Sequence, residues 1–440
     1  MEKFLLYFLV VCLLIQLVHS YEYLKETFNS KYLVIGVIGF LTLWYSYRLL
    51  IKPLDIQRKL ADVGYKQYFT QKQWASKDKL HLIRSMMSLR KKGALPPVYP
   101  NGWFALLDSD QINIQQVKYV TAMGENFAVF RSSNGNINIL DAYCPHLGAN
   151  MAIGGVVRGN NLQCPFHGWK FDGTDGKCVN KIQQNDCPDD TILTKTSVKK
   201  WESFEANGFI FVWYHSENEK PSWYPPRDEM ISNWTYRGRS EHYVNAHVQD
   251  IPENGADVAH LSVLHGDMAL GGQYAAQANT SLWNILGNHK WKAEWKADKD
   301  QWHLSKLKLE HKLKVFKNFV IFQMNVTADQ IGPGLVILNF KTSFGPMKLV
   351  QTVTPVEPLI QKVVHRVYCP IYLSLYASIL LFMESVMFER DVVIWNHKKY
   401  IEKPLASKQE STLLAHRKWY KQFYSANSPT FSFRKETIDW

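Results

Sequence analysis

Two short segments each pair a cysteine with a histidine: Cys144-Pro145-His146, followed by Gly148, and Cys164-Pro165-Phe166-His167, followed by Gly168. Two thiolates and two imidazoles could close a tetrahedral zinc site, or hold a [2Fe-2S] cluster with the thiolates on one iron and the imidazoles on the other. Spacing separates these chemistries. Zinc fingers usually pair cysteine with cysteine and histidine with histidine, whereas one of each on two loop tips suits opposed loops gripping a two-metal cluster. The remaining cysteines add no disulfide framework: Cys12 lies in an apolar run, Cys369 is remote, and Cys178 and Cys187 read as packed or solvent-facing thiols.

A second constellation lies in Asp250-Ile251-Pro252-Glu253-Asn254-Gly255-Ala256-Asp257-Val258-Ala259-His260-Leu261-Ser262-Val263-Leu264-His265. The pattern predicts a helix entered through Pro252, with Asp257 and His260 on one face. His265 stands about 140° round from His260, so the two share a metal only if the helix distorts or ends, and Gly266 is a plausible terminator. Two imidazoles and one carboxylate, with positions left open for O2, make the ligand set of a mononuclear non-haem Fe(II) oxygenase. For the carboxylate, the helical stretch Ile371 to Tyr400 offers Glu384, Glu389 and Asp391, and residue chemistry alone does not choose among them.

The segment Cys144-x-His146-Leu147-Gly148 with Cys164-Pro165-Phe166-His167-Gly168-Trp169 resembles the Rieske signature. Ala149 and Phe166 stand where high-potential Rieske proteins carry a further cysteine, so the likeness is to the lower-potential clusters that feed oxygenases. Glu253, Asp257, His260 and His265 match the oxygenase iron motif residue by residue. The resemblance implies Asp391 as third ligand, from Arg390-Asp391-Val392-Val393-Ile394-Trp395, and Asp257 as a bridge from His260 to a cluster histidine, His167, of a neighbouring subunit, in a homotrimer. The Asp250–His260 segment and the tail, Ile394 to Tyr400 with Arg417 to Tyr424, are similar to the Neverland family of cholesterol 7-desaturases. That likeness runs from about Pro96 to Tyr424. It implies 7,8-desaturation of cholesterol to 7-dehydrocholesterol, an early step of steroid hormone synthesis, with O2 and NAD(P)H. A Rieske hydroxylase of another steroid or apolar substrate shares all these residues. A membrane-bound electron-transfer protein would lack the second ligand set.

These loops need a scaffold, and the expected fold class is α+β. Residues 101–211 read as a small all-β domain, with short runs such as Tyr119 to Met123, Phe127 to Phe130 and Ile137 to Leu140, and Asn134-Gly135 as a type I′ hairpin signal. Residues 212–440 read as the mononuclear iron domain, a helix-grip-like antiparallel sheet around a C-terminal helix. Its strands are expected at His303 to Val315, Phe319 to Asn325, Leu335 to Lys341, Leu349 to Val353 and Val363 to Tyr368. The run Ile371 to Met383 is too short for a bilayer span and reads as a buried helix presenting the carboxylate. No G-x-G-x-x-G or P-loop is present, so a separate reductase is expected to oxidise NAD(P)H.

Residues 1–52 read as a membrane anchor. Phe4 to Val18 is either a signal peptide or the first arm of a hairpin, and Tyr32 to Leu50 is long enough to span. Residues 53–100 read as a basic juxtamembrane linker. Arg48, Lys52, Arg58 and Lys59 after the second stretch put the rest of the chain in the cytosol, at the endoplasmic reticulum, where sequons at Asn233, Asn279 and Asn325 go unused. The formal charge of +12 comes without a nucleic-acid-binding signature, which leaves membrane or an acidic protein as the anionic partner.

Overall fold

The computed structural model describes residues 30–47, 51–75, 79–180, 196–274, 287–316, 319–405 and 411–431. The apolar run Phe4 to Val18, Cys187 and Asn279 lie outside the described residues. The chain forms two compact units, Met1–Pro53 and Leu54–Trp440. The first contains α1 (Ser30–Ser46), followed by a π-type turn from the Lys52 amide to the Tyr47 carbonyl. At 17 residues this helix is shorter than the about 20 residues of a typical bilayer span. Its apolar side chains, Ile35, Phe40 and Leu43 among them, are exposed.

The second unit begins with β1 (Leu54–Arg58) and α2 (Lys79–Leu89). Eleven strands follow: β2 (Gly102–Asp108), β3 (Val117–Ala122), β4 (Glu125–Arg131), β5 (Ile137–Asp141), β6 (Val156–Arg158), β7 (Asn161–Gln163), β8 (Lys170–Asp172), β9 (Cys178–Asn180), β10 (Lys200–Trp201), β11 (Ser203–Ala206) and β12 (Phe209–Tyr214). They form sheets ordered β10-β5-β4-β3, β11-β12-β2 and β6-β7-β8-β9, as the short alternating runs predict. The type I′ turn, however, is Met123-Gly124 between β3 and β4, both with positive φ (55° and 76°). At Asn134-Gly135 only the glycine is left-handed, its N–H closing on the Ser132 carbonyl at 3.0 Å, so that loop is longer than the expected two-residue turn.

Residues 53–100, expected as a linker, instead supply an edge of the larger sheet. β1 pairs in parallel with β13 (Thr235–Val244), and Ile83 of α2 is buried against Leu60, Tyr65 and Ile360. Two short helices, α3 (Asp250–Glu253) and α4 (Val258–Val263), lead to β14 (Gly287–Ala297), β15 (Leu304–Val315), β16 (Phe319–Ile331), β17 (Leu335–Thr342), β18 (Gly345–Glu357) and β19 (Ile360–Cys369). The eight-stranded order is β1-β13-β19-β18-β17-β16-β15-β14.

Across this sheet lies α5 (Ser374–Trp395), packed on β13 and β19, and α6 (Ser411–Tyr420) follows. Ile371–Trp395 is, among the described residues, the helical stretch long and apolar enough to cross a membrane. It lies within the expected helical stretch Ile371 to Tyr400, and its apolar character runs beyond Met383. Ten buried residues, including Glu389, Arg390 and Asp391, seat α5 on the sheet, which accounts for its composition without a bilayer.

Candidate active site

The two cysteine-histidine loops are built alike. The first joins β5 to β6 and the second is the β7–β8 hairpin. In each, a glycine amide closes on the cysteine carbonyl four residues back: Gly148 to Cys144 at 2.9 Å and Gly168 to Cys164 at 3.1 Å. Both glycines have φ of 72°, a left-handed conformation that a side chain would strain. Cys144 and Cys164 are buried, whereas His146 and His167 are exposed, with ring centroids 4.7 Å apart. Trp169 stacks on His146 at 4.5 Å. Burial, with the neighbouring Cys164, pushes the Cys144 thiol up to about 11. The donor set suits a cluster whose thiolate-bound iron is enclosed and whose imidazole-bound iron faces the surface, where an electron partner can approach.

The iron motif does not form the single helix expected of it. After α3 the chain turns through Gly255, and Asp257 becomes the N-cap of α4 (φ −87°, ψ 86°), accepting the His260 amide at 3.4 Å. The His260 Nδ1–H donates to the Asp257 carbonyl, which leaves Nε2 for the interior. The helix ends before His265, as the five-residue spacing requires. Gly266 is not the left-handed terminator: it is needed because a Cβ there would meet the Ser262 carbonyl oxygen at 2.6 Å.

From α5, Asp391 places its carboxylate 3.2 Å from His265 Nε2 and 3.9 Å from His260 Nε2. Ligand atoms of His260, His265 and Asp391 all lie within 4.8 Å of one another, as one metal ion would require. Burial lowers the His260 pKa, with Asp391 opposing, which favours the neutral, ligating form. The other two acids point elsewhere. Glu389 accepts from Arg58 at 2.7 Å beside His242, and Glu384 lies 3.2 Å from His365 Nδ1. Glu253 is buried away from the trio and takes both arms of Arg417, at 2.8 and 2.9 Å.

A cavity of about 570 Å³ begins at His265 and Asp391, within the size range of small-molecule sites. Its wall on the sheet follows from register: Trp291, His311 and Met324 form one cross-strand row, and Leu309, Val326 and Phe340 another. On these strands side chains alternate faces, so Lys290, Lys292, Lys306 and Lys308 point outward while the apolar set points in. The opposite wall is the α5 stripe Tyr376, Leu380, Met383, Met387 and Asp391. A smaller cavity of about 230 Å³ reaches the same trio from the side of Asn254 and Gln330.

Residue patterns did not single out Arg390. It is 1% exposed and donates to four carbonyls, those of Gly272, Leu264, Asp267 and Met268, at 2.8–3.1 Å. One cation thus binds the loop that follows His265 to the helix carrying Asp391. The available signal was an arginine in a buried helix, which must find partners. The tail is tied back in the same way, Lys398 reaching Asp250 at 2.7 Å and Arg417 reaching Glu253.

Residues 102–201 match the Rieske [2Fe-2S] domain family, and residues 212–424 match the 3-ketosteroid 9alpha-hydroxylase C-terminal domain family. Over 418 residues the chain is 42% identical to a cholesterol 7-desaturase of Xenopus laevis, covering 94% of this chain and 89% of that one. The cholesterol 7-desaturase of Caenorhabditis elegans is 36% identical over 410 residues, 90% of this chain and 92% of its own. Among solved structures, dicamba monooxygenase bound to dicamba is similar in fold, with a TM-score of 0.56 at 13% identity over 74% of this chain and 98% of that one.

Proposed function

The chain belongs to the family of the cholesterol 7-desaturases, and we propose that it is a Rieske oxygenase converting cholesterol, O2, two electrons and two protons into 7-dehydrocholesterol and two waters. The observation that carries this reading is the long apolar cavity ending on His265 and Asp391. A sterol offers one hydroxyl and a rigid apolar body, so shape in such a cavity must orient it. In this reading His260, His265 and Asp391 hold Fe(II), and Cys144, His146, Cys164 and His167 hold the [2Fe-2S] cluster. Bound together, the two centres supply activated O2 chemistry able to take hydrogens from C7 and C8. The protein's share is placement. Arg390 fixes the backbone on both sides of His265, the Asp257 carbonyl orients the His260 imidazole, the cross-strand rows hold the substrate, and the buried walls exclude water.

Electrons come from NAD(P)H through a separate reductase that meets the exposed His146 and His167. Asp257 passes them on from His167 of a neighbouring copy in a homotrimer. Support for that role is its partly exposed carboxylate, 3.9 Å from His260 Nδ1 at the start of α4. The exposed apolar α1 supports a membrane anchor. The basic residues after it, with cysteines that must stay reduced, support a cytosolic catalytic part at the endoplasmic reticulum. Glycans on Asn233 or Asn325 of the native protein would overturn that orientation.

The deciding experiment is turnover of a sterol panel by the purified, iron-loaded full chain with a reductase. The expected product is 7-dehydrocholesterol from cholesterol. A hydroxysterol as sole product would favour the hydroxylase chemistry for which the matched C-terminal family is named.

A further inference from the structure

The cavity ends away from the trio in a mouth of unusual composition. Ile321, Phe344 and Ile379 line the cavity yet are 59%, 61% and 48% exposed. Around them stand Phe316, Phe319, Ile371 and Leu375, exposed and outside the lining. These residues come from three places in the chain: the β15–β16 tip, the β17–β18 turn and the start of α5. Ring contacts of Phe344 with Phe322 (6.2 Å) and Tyr376 (5.0 Å), and the approach of Gly345 to Tyr372 and Leu373, join them into one surface. Single exposed apolar residues are ordinary, but a contiguous set of large ones marks an interaction face.

A further observation points to what covers it. On the outward side of β14 and β15, next to the tip, lie Lys290, Lys312 and Lys314, and Lys290 sits directly opposite Lys312. Like charges facing across a strand pair are destabilising, so this collar suits a negatively charged surface. The first acids back from the tip on these two strands are Glu310 and Glu294.

We propose that this face docks on an anionic lipid bilayer, with Phe316, Phe319, Ile371 and Leu375 in the apolar region and the lysine collar at the headgroups. The cavity then opens into the membrane, and cholesterol reaches the iron without crossing water. Apolar tip and basic collar are two separate features of one face, and the cavity that opens between them suits a substrate held in a bilayer. The inference about the substrate's route rests on the sterol reading above; the docking itself does not.

The test uses the iron-loaded full chain in phosphatidylcholine–phosphatidylserine vesicles. The indole introduced by Phe319→Trp should be quenched by brominated acyl chains beyond the quenching of the unaltered chain. The pair Phe316→Ser and Phe319→Ser, neither residue lining the cavity, should raise KM for vesicle-held cholesterol about tenfold and leave kcat alone. Cholesterol delivered from cyclodextrin should be turned over at the unaltered rate. No added quenching, whether the face is bare or covered by a second copy or the reductase, overturns the proposal, as does an equal loss with both deliveries. Quenching without any cholesterol turnover supports the docking and sinks the activity instead.

Discussion

Replacing Arg390 by methionine removes the cation shared by four carbonyls that flank His265, Leu264 before it and Asp267, Met268 and Gly272 after it. Hydrogen bonds to a charged group are worth about 1.5–3 kcal/mol each, so a simple sum would reach roughly 6–12 kcal/mol. The loop will rearrange before losing that much, and the loss on breaking a buried charge network, about 3–5 kcal/mol, is the better bound. Methionine fills much of the volume, so packing changes little and the loss falls on the loop. His265 is the loop's first residue and has Asp391 as its partner at 3.2 Å, so the cost appears in how the two ligands are held. Residues supporting metal ligands typically contribute about 10–100-fold in affinity, and that weakening is expected here. The assay is anaerobic Fe(II) titration against a chelator, with the reduced cluster's EPR signal as internal control and turnover measured in parallel. Iron binding within about twofold of the unaltered chain would refute the reasoning, and loss of the cluster signal would show a global effect in place of a local one. Arg390→Lys keeps the charge but cannot reach four acceptors, and should fall between.

Asp391→Asn should abolish iron binding, whereas Glu384→Gln and Glu389→Gln should retain it. The latter should lower stability by roughly 1 kcal/mol through the half-exposed Arg58 pair, read from denaturant midpoints. His260→Ala should end turnover and leave the cluster's EPR signal; Cys144→Ser should remove both. Asp257→Asn should keep both metals yet fail to pass electrons in single-turnover kinetics, and loss of iron there would make Asp257 a ligand. Burial pushes His311 and His416 down to about 3, so in the folded chain they stay neutral where the unfolded chain's imidazoles protonate. Stability is therefore full above about pH 6.5 and falls as pH drops toward 3, by about 1.4 kcal/mol per unit for each histidine. Chemical denaturation at pH 7.0 and 5.5 checks this, and His416→Gln should flatten the slope.

The two cysteine-histidine loops and the His260–His265 pair were legible as candidate sites because each set is local: a few residues apart, with glycines at the turns that their geometry demands. The resemblance carried by those residues also named Asp391, the acid that lies 3.2 Å from His265 Nε2. Residue chemistry alone left Glu384, Glu389 and Asp391 equivalent, since all three are acids on one helix. What separates them is which side of α5 faces His265, 126 residues earlier in sequence, and that depends on packing against β13 and β19. Strands β15 to β19 announced themselves by β-rich runs, while β13 and β14 did not. The alternate lysines of β14 dilute its apolar signal until the register shows Trp291 and Trp295 sharing an inner face. The break between α3 and α4 was hidden for the same kind of reason. A motif spacing is compatible with one helix or two, and tertiary contacts such as Arg417 with Glu253 select between them. Whether an inward apolar face closes into core or encloses a cavity is not a property of any one strand. It depends on how far α5 stands from the curved sheet, a distance set by the whole fold.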